Sequence, residues 1–131
     1  TSTLQDTARG VSVQSKLSNL PSGFHGFHIH ETGSCAPAEK EGKKVAALAA
    51  GGHFNPNHSG HGTPKDGHMG DLPVLNVNSS GHADNTVLAP RLTLNDVKGL
   101  AIMIHAGGDN YSDHPKPLGG GGERIACGVI Q

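Results

Sequence analysis

Glycine and proline constrain the fold of this chain more than any other residues. Twenty glycines and eight prolines stand among its 131 residues, which is more than a fifth of the sequence. Both residues interrupt helices and favour tight turns. The sequence therefore predicts an all-β protein of short strands joined by many turns, without long helices. Its length suits one domain over residues 1–131.

Alternation of apolar and polar residues locates the strands. Residues 11–17 alternate with period two and are followed by turn residues at 21–23. Two long loops, 31–71 and 106–122, are also evident. A loop as long as the first is either disordered or held by something other than packing. Further strands are predicted at 24–30, 72–77, 87–94, 100–105 and 124–130.

Charge and hydropathy exclude several classes of function. Ten Lys and Arg against eleven Asp and Glu give a net charge of -1, and the cations are scattered along the chain. A nucleic-acid-binding protein needs a basic stripe, and a membrane span needs about twenty apolar residues in succession. The glycine run at 119–122 lacks the Lys-Ser/Thr pair of a phosphate-binding loop. We therefore expect no nucleic acid and no membrane among the partners.

Histidine is the residue that points to chemistry, with ten copies in the chain. His28 and His30 are two residues apart on a predicted strand, so both side chains lie on one face within reach of one ion. His105 also faces away from the core side of its strand and can complete that site. Imidazole suits both copper and zinc. An isolated His-x-His pair fits a chance pair on the surface equally well.

A second group of candidate ligands lies in the first long loop. Its members are three imidazoles and one carboxylate, namely His53, His61, His68 and Asp71. Such a set fits a closed tetrahedral zinc site, which would order a loop that buries little apolar surface. A solvated histidine-rich loop is the alternative interpretation. His58, three residues before His61, can compete for the zinc.

Three further residues have less specific interpretations. His25 faces the core side of its strand and is expected to be a hydrogen-bonded interior histidine. Cys35 and Cys127 lie far apart in sequence. Taken alone, they can be buried thiols, a disulfide or soft metal ligands.

Four motifs, in the order found here, resemble those of the copper/zinc superoxide dismutases. They are GFHIHE at 26–31, GGHFNP at 51–56, GHMGD at 67–71 and GGGGERIACGV at 119–129. The resemblance implies a Greek-key β-barrel, flattened like a sandwich, with two long functional loops. It also implies that the chain lacks the family's first strand, which would expose unpaired strand edges.

The same resemblance assigns two metal sites, so copper and zinc are the expected cofactors. The copper ligands that it implies are His28, His30, His53 and His105. The zinc ligands that it implies are His53, His61, His68 and Asp71, so that His53 bridges the two metals. The histidines that match no motif position, and are expected at the surface, are His58, His82 and His114.

The resemblance also assigns residues around the metals. Asp109 corresponds to a carboxylate that links the outer nitrogens of one copper ligand and one zinc ligand, expected here to be His30 and His61. Arg124 corresponds to an arginine beside the open copper position. Strand alternation places Arg124 on the face opposite Ile125 and Cys127.

The cysteines distinguish branches of the family. Cys35 and Cys127 correspond to the family's intramolecular disulfide. Cys35 lies 18 residues before His53, whereas the eukaryotic enzymes carry this cysteine close ahead of the bridging histidine. The chain therefore resembles the bacterial exported branch, which implies a periplasmic protein whose signal peptide has been removed. Lys40 and Lys43 resemble a charged cluster at the channel rim in that branch, and a solvated turn is the alternative.

The activity that the resemblance implies is the disproportionation of superoxide to dioxygen and hydrogen peroxide by a redox-cycling copper, in antioxidant defence. His53 is implied to supply a proton, and Arg124 to hold the anion. Two other classes are a metal buffer without turnover and a β-domain that uses zinc only as a staple. The presence of His105, His53 and Arg124 together argues against the buffer, and the complete copper set argues against the β-domain that uses zinc only for structure. The sequence leaves a homodimer open.

Overall fold

The computed structural model describes residues 2–56, 59–62, 66–109, 111–112, 120 and 122–130, and of Lys40 only the backbone. A 3-10 turn at Leu48–Ala50 and a short helix α1 (Leu94–Val97) lie between strands. The strands of the described residues are β1 (Ser2–Thr7), β2 (Gly10–Leu17), β3 (Gly23–His25), β4 (Phe27–His30), β5 (Ala38–Lys40), β6 (Lys43–Val45), β7 (Leu75–Val77), β8 (Ala83–Ala89), β9 (Ala101–His105) and β10 (Arg124–Val129).

Two three-stranded antiparallel sheets supply most of the apolar core. One sheet has the order β1-β2-β8 and the other the order β10-β9-β4. Val11 and Val13 of β2 belong to the same buried cluster as Phe27 and Ile29 of β4. Burying each such side chain contributes about 1.5–3 kcal/mol. The architecture is the flattened β-sandwich that was expected. Among the described residues, the structure contains no helix long and apolar enough to cross a membrane.

The strand predicted at 24–30 is divided in the structure. β3 pairs with β7, whereas β4 pairs with β9. Gly26 lies between them, where its N–H donates to Gly107 O at 2.8 Å and its carbonyl accepts from His105 N at 2.9 Å. The strand predicted at 72–77 is also shorter than expected, since only its last three residues pair as β7.

The strand predicted at 87–94 is displaced toward the N-terminus. The observed strand is β8, which ends at the residue before Pro90. Proline has no N–H to donate to a strand ladder, so pairing stops there. Thr93 and Asp96 then form a capping box, in which each side chain accepts from the other residue's N–H, and α1 begins.

β1 is a strand that the alternation of residues did not predict. It pairs with β2 along its whole length, from Ser2 opposite Ser15 to Thr7 opposite Gly10. Its other edge and the outer edge of β10 have no partner among the described strands. A groove lined by apolar side chains, Leu4 among them, lies between β1 and β10. The two sheets therefore do not close into a complete barrel among the described residues.

The loop after β4 is held by a hairpin and by a disulfide. β5 and β6 form the hairpin, and its turn residues Glu41 and Gly42 have φ angles of 54° and 77°. Two successive positive φ angles are typical of a type I′ turn. Cys35 is bonded to Cys127 of β10, with Cα atoms 5.8 Å apart. The disulfide confirms the predicted pairing and ties this loop to the strand that carries Arg124.

Removal of the disulfide is expected to destabilise the metal-free protein. The bond joins residues 92 apart in sequence, and the chain-entropy estimate for a loop of that size is about 4–5 kcal/mol. The Cys35→Ser/Cys127→Ser double variant should lose most of that free energy of unfolding, measured in urea against the metal-free parent. Two titratable thiols in the denatured, unreduced parent would contradict the bond.

Candidate metal centre

Strands β4 and β9 present three histidines on the side of the sheet away from the apolar core. Phe27 of β4 lies opposite Ile104 of β9, and both belong to the core cluster. His28 and His30 alternate with the core residues along β4, so they face the other side. His105 ends β9 one residue after Ile104 and faces that side too. All three imidazoles are buried.

The long loop after β4 folds back against the same strand. Isolated bridges join His28 to Asp71 and His30 to His53. The backbone of Ile29 lies between them, accepting from Phe54 N at 2.7 Å and donating to Gly70 O at 2.8 Å. These backbone bonds bring the loop ligands next to the strand ligands. The resulting buried group is His28, His30, His53, His61, His68, Asp71 and His105.

The first cluster consists of His28, His30, His53 and His105, each with a ligand atom within 4.8 Å of the others. His30 Nδ1 donates to Gly51 O at 2.8 Å, and His105 Nδ1 donates to Gly122 O at 3.1 Å. A neutral imidazole has one N–H, so both Nε2 atoms then carry lone pairs. These two Nε2 atoms lie 3.3 Å apart. A cation stabilises two lone pairs that face each other at this distance.

The second cluster surrounds Oδ1 of Asp71. The Nδ1 atoms of His53, His61 and His68 lie 3.0, 3.1 and 3.3 Å from that oxygen. The Nδ1 atoms of His53 and His68 are 3.2 Å apart. Tetrahedral zinc with ligand bonds of about 2.0–2.1 Å needs donor atoms about 3.3 Å from one another. The second cluster therefore has the donor set and the spacing of a zinc site.

His53 lies between the two clusters. Its Nδ1 faces Asp71 Oδ1, and its ring stacks on that of His28 with centroids 3.9 Å apart. His53 Nε2 and His28 Nδ1 are buried and have no hydrogen-bond partner among the described residues. Buried polar atoms normally have a partner. Two orphan nitrogens on the first cluster therefore fit a bound metal ion.

Asp109 links the clusters, but through a different histidine from the predicted one. Its Oδ2 accepts from His28 Nε2 at 2.8 Å, and its Oδ1 accepts from His61 Nε2 at 2.7 Å. The prediction of His30 as the first partner was wrong, because His30 donates to a backbone carbonyl instead. By taking the Nε2 protons, Asp109 leaves the Nδ1 atoms of His28 and His61 to face the clusters.

The other oxygen of Asp71 is held by backbone donors. Gly62 N and His68 N donate to Oδ2 at 3.0 and 2.9 Å. Gly67 passes close to this carboxylate, since a Cβ at that position would lie 2.5 Å from Oδ2 and 2.4 Å from Gly62 N. Only glycine therefore fits there. The carboxylate is fixed with Oδ1 directed at the histidines.

Burial and hydrogen bonding adjust the pKa values in both clusters. Burial lowers the pKa of His28 to about 3 and that of His105 to about 4. These imidazoles are therefore neutral at pH 7, which is the state that binds metals. Burial by itself lowers the pKa of His61, but hydrogen bonds to Asp109 and Asp71 raise it to about 9. Before a metal binds, the positively charged form of the His61 imidazole is thus favoured beside these two carboxylates.

Arg124 is clamped beside the first cluster by two backbone carbonyls. Its Nη1 donates to Ala47 O at 3.0 Å and its Nη2 donates to Gly51 O at 2.7 Å. The Gly51 carbonyl also accepts from His30, so one peptide oxygen positions both side chains. Burial is the main cause of the lowered pKa of His30, and the charge of Arg124 lowers it further. The guanidinium is half-buried.

The prediction for the face of Arg124 is correct for Ile125, which packs against the apolar core on the opposite side, but wrong for Cys127. Arg124 lies opposite His105, and Cys127 lies opposite Met103, two residues away on β9. The two side chains therefore share a face, whereas simple alternation placed them on opposite faces. The cause is an irregularity of register between Arg124 and Ala126. A β-bulge of this kind inserts one residue and changes the alternation beyond it.

Sequence reasoning missed Tyr111. Its N–H donates to Asp109 Oδ1 at 2.7 Å, and its hydroxyl accepts from Val74 N at 3.1 Å. The first bond is an Asx turn, and an Asp two residues before a loop residue is the signal that could have indicated it. Tyr111 has a φ of 60°, which is uncommon outside glycine. It thus fixes the carboxylate that joins the clusters.

The other predicted residues fall as follows. His25 is buried, with its ring nitrogens 2.8 Å from His105 O and 2.7 Å from Pro21 O, which confirms an interior hydrogen-bonded role. His82 and Lys43 are exposed. His58, His114 and the side chain of Lys40 lie outside the described residues.

Comparison with known proteins agrees with this geometry. The family model of copper/zinc superoxide dismutase (SODC) matches residues 1–130. The chain belongs to the copper/zinc superoxide dismutase family. It is an oxidoreductase whose substrate is superoxide and whose cofactors are copper and zinc. Membership of this enzyme family favours catalysis over the two alternatives, which were a metal buffer without turnover and a β-domain that uses zinc only for structure.

Similar dismutases occur in bacteria. The superoxide dismutase [Cu-Zn] of Photobacterium leiognathi is 60% identical over 131 residues, covering 98% of this chain and 76% of the relative. The Brucella abortus enzyme structure has a TM-score of 0.97 at 51% identity and covers 99% of this chain and 86% of that one. A structure from Salmonella enterica, described as monomeric, has a TM-score of 0.86 at 56% identity, with coverages of 99% and 86%.

Replacing the residue between the clusters should affect both metals. We expect one copper and one zinc per parent chain, and reduced occupancy of both in His53→Ala, because each cluster then loses a nitrogen ligand. Elemental analysis after dialysis against both metals measures this. His82→Ala, which removes an exposed imidazole, is the matched control. If His53→Ala kept parental amounts of copper and zinc, the residue would not bridge the two sites.

Proposed function

We propose that residues 1–131 act as one superoxide dismutase domain with a bridged copper and zinc centre. The observation that carries the proposal is His53, whose two ring nitrogens face different clusters. The residues that would hold copper are His28, His30, His53 and His105. The residues that would hold zinc are His53, His61, His68 and Asp71. We assign His68 to zinc because its Nδ1 lies within 3.3 Å of two other donors.

The protein's own residues support a two-step redox reaction. Copper held by His28, His30, His53 and His105 would supply one-electron redox chemistry, through which two superoxide anions and two protons would give dioxygen and hydrogen peroxide. Nε2 of His53 is the buried nitrogen suited to hold a proton for the second step, because it lacks a competing partner among the described residues. Asp71 holds the opposite nitrogen of the ring, so the imidazole keeps its position while Nε2 gains and loses the proton.

Arg124 supplies fixed positive charge for the anion. Two of its five N–H donors are directed at Ala47 O and Gly51 O. This clamp orients the guanidinium before the substrate arrives, so little reorganisation is needed when an anion binds. The net charge of the chain is -1, and capture of an anion therefore depends on local positive potential.

Replacement of Arg124 should slow turnover without loss of metal. Arg124→Ile removes the anion-binding donors but no metal ligand, so we expect a rate at low superoxide about tenfold or more below the parent. Inhibition by small anions such as azide should weaken in parallel, with copper content unchanged. Arg124→Lys keeps the charge and should retain part of the rate. Parental activity and anion inhibition in Arg124→Ile would refute this role.

Lys40 and Lys43 are proposed to steer the substrate. They flank the Glu41–Gly42 turn of the β5–β6 hairpin, and the side chain of Lys43 is exposed. This hairpin belongs to the loop that also supplies Ala47 O and Gly51 O to Arg124. Exposed charges at such a position act over about 10 Å at 0.1 M salt.

The Lys40→Gln/Lys43→Gln variant should show a weaker fall of rate with ionic strength than the parent. The reason is that screening by salt acts on the charges which this variant has lost. Stopped-flow decay of superoxide over a range of salt concentrations measures the effect. Lys16→Gln/Lys98→Gln removes the same net charge from two exposed lysines elsewhere and serves as control. Equal salt dependence in the two double variants would leave the hairpin lysines as an ordinary solvated turn.

The periplasm is the proposed location of this enzyme. Support comes from the Cys35–Cys127 bond, since disulfides persist mainly in oxidising compartments, and from the bacterial relatives. Fractionation of cells that produce the protein tests this location. A homodimer stays a prediction, and the monomeric description of the Salmonella relative supports the alternative. Light scattering of the purified protein distinguishes the two.

A further inference from the structure

Arg91 contacts the zinc loop from a different part of the fold. It follows Pro90 at the end of β8, where the neighbouring Leu92 is buried in the core. Its Nη2 donates to Gly67 O at 2.8 Å and to His68 O at 3.0 Å. Both acceptors are backbone carbonyls of the segment that carries a zinc-binding histidine. The side chain is half-buried.

The first contact acts through one peptide group. The Gly67 carbonyl that accepts from Arg91 and the His68 N–H belong to the same peptide. That N–H donates to Asp71 Oδ2 at 2.9 Å. The guanidinium charge therefore polarises a peptide whose donor end holds the carboxylate, which strengthens the second hydrogen bond.

The second contact stabilises the turn between the two ligands. The His68 carbonyl also accepts from Asp71 N at 3.0 Å, so it is shared between Arg91 and the residue that carries the carboxylate. With two successive carbonyls directed at one guanidinium, the backbone of 67–71 has little freedom to rotate. Asp71 then keeps Oδ2 on the backbone donors and Oδ1 on the histidines.

We propose that Arg91 is a positioning residue for zinc, acting through the backbone rather than through a ligand side chain. This inference rests on the zinc assignment under the proposed function. The groups that hold metal-ligating side chains in place typically change metal affinity by about 10–100-fold when removed. Arg91 acts on Asp71 through one intervening peptide group. We therefore expect a loss of zinc affinity near tenfold, the lower limit of that range. Both of the Arg91 hydrogen bonds described above reach the zinc loop and not the copper cluster.

The test compares zinc and copper affinity in Arg91→Met. This variant keeps an apolar stem of similar length but loses the donors and the charge. Zinc affinity, measured by competition with a chromophoric chelator, should fall about tenfold, while copper affinity stays within twofold of the parent. Cobalt(II), bound in place of zinc, should give an altered visible spectrum. Arg91→Lys, which retains one charged donor group, should recover part of the zinc affinity.

Two controls make the outcomes distinct. Arg9→Gln removes an exposed arginine from the neighbouring β1–β2 turn and should leave zinc affinity unchanged. His68→Ala tests the zinc site itself. If His68→Ala loses zinc and Arg91→Met does not, the role of Arg91 is wrong. If His68→Ala keeps parental zinc affinity, the zinc assignment fails instead. A general loss of copper, zinc and thermal stability in Arg91→Met would show a merely structural role and also overturn the proposal.

Discussion

The structure depends on one arrangement, which is the imidazole of His53 held between two groups of buried ligand atoms. His53 reaches this position because the backbone of its loop bridges to His30 on β4. In this position, His53 directs one ring nitrogen at each cluster. Most other features of the site serve to keep the surrounding nitrogens directed at one cluster or the other.

The orientation of these imidazole rings is fixed by a hydrogen bond at the outer nitrogen of each ring. His28 and His61 donate to the two oxygens of Asp109, and His30 and His105 donate to backbone carbonyls. A neutral imidazole has only one N–H, so each outer bond fixes the lone pair toward the metal side. The carboxylate of Asp71 is oriented similarly, because backbone N–H groups donate to Oδ2 and Oδ1 faces the histidines. The chain thus prepares the first site with neutral nitrogens, and at the second it holds the His61 imidazole beside the charged Oδ1 of Asp71.

The two loops that carry this arrangement are attached to the sheets by specific bonds as well as by apolar packing, as at Phe54 and Met69. The Cys35–Cys127 disulfide, the β5–β6 hairpin and the carbonyls that clamp Arg124 attach the first loop to β10. Tyr111 attaches the second loop to the segment after Asp71. Polar contacts of this kind define position well but need a rigid support. The sandwich of β2, β4, β8, β9 and β10 supplies it.

Local pattern in the sequence determined which residues are candidate ligands and on which side of the sheet those of the strands lie. The spacing of His28 and His30, the outward position of His105 and the grouping of loop ligands follow from strand periodicity and from the chemistry of imidazole. Tertiary structure decided what periodicity does not contain. The bulge at the start of β10 placed Cys127 on the same face as Arg124, and Asp109 contacts His28 rather than His30, whose outer nitrogen already donates to the Gly51 carbonyl. Arg91 reaches Gly67 across 24 residues of sequence. Such contacts depend on how distant segments pack in three dimensions, and a local residue pattern does not determine that packing.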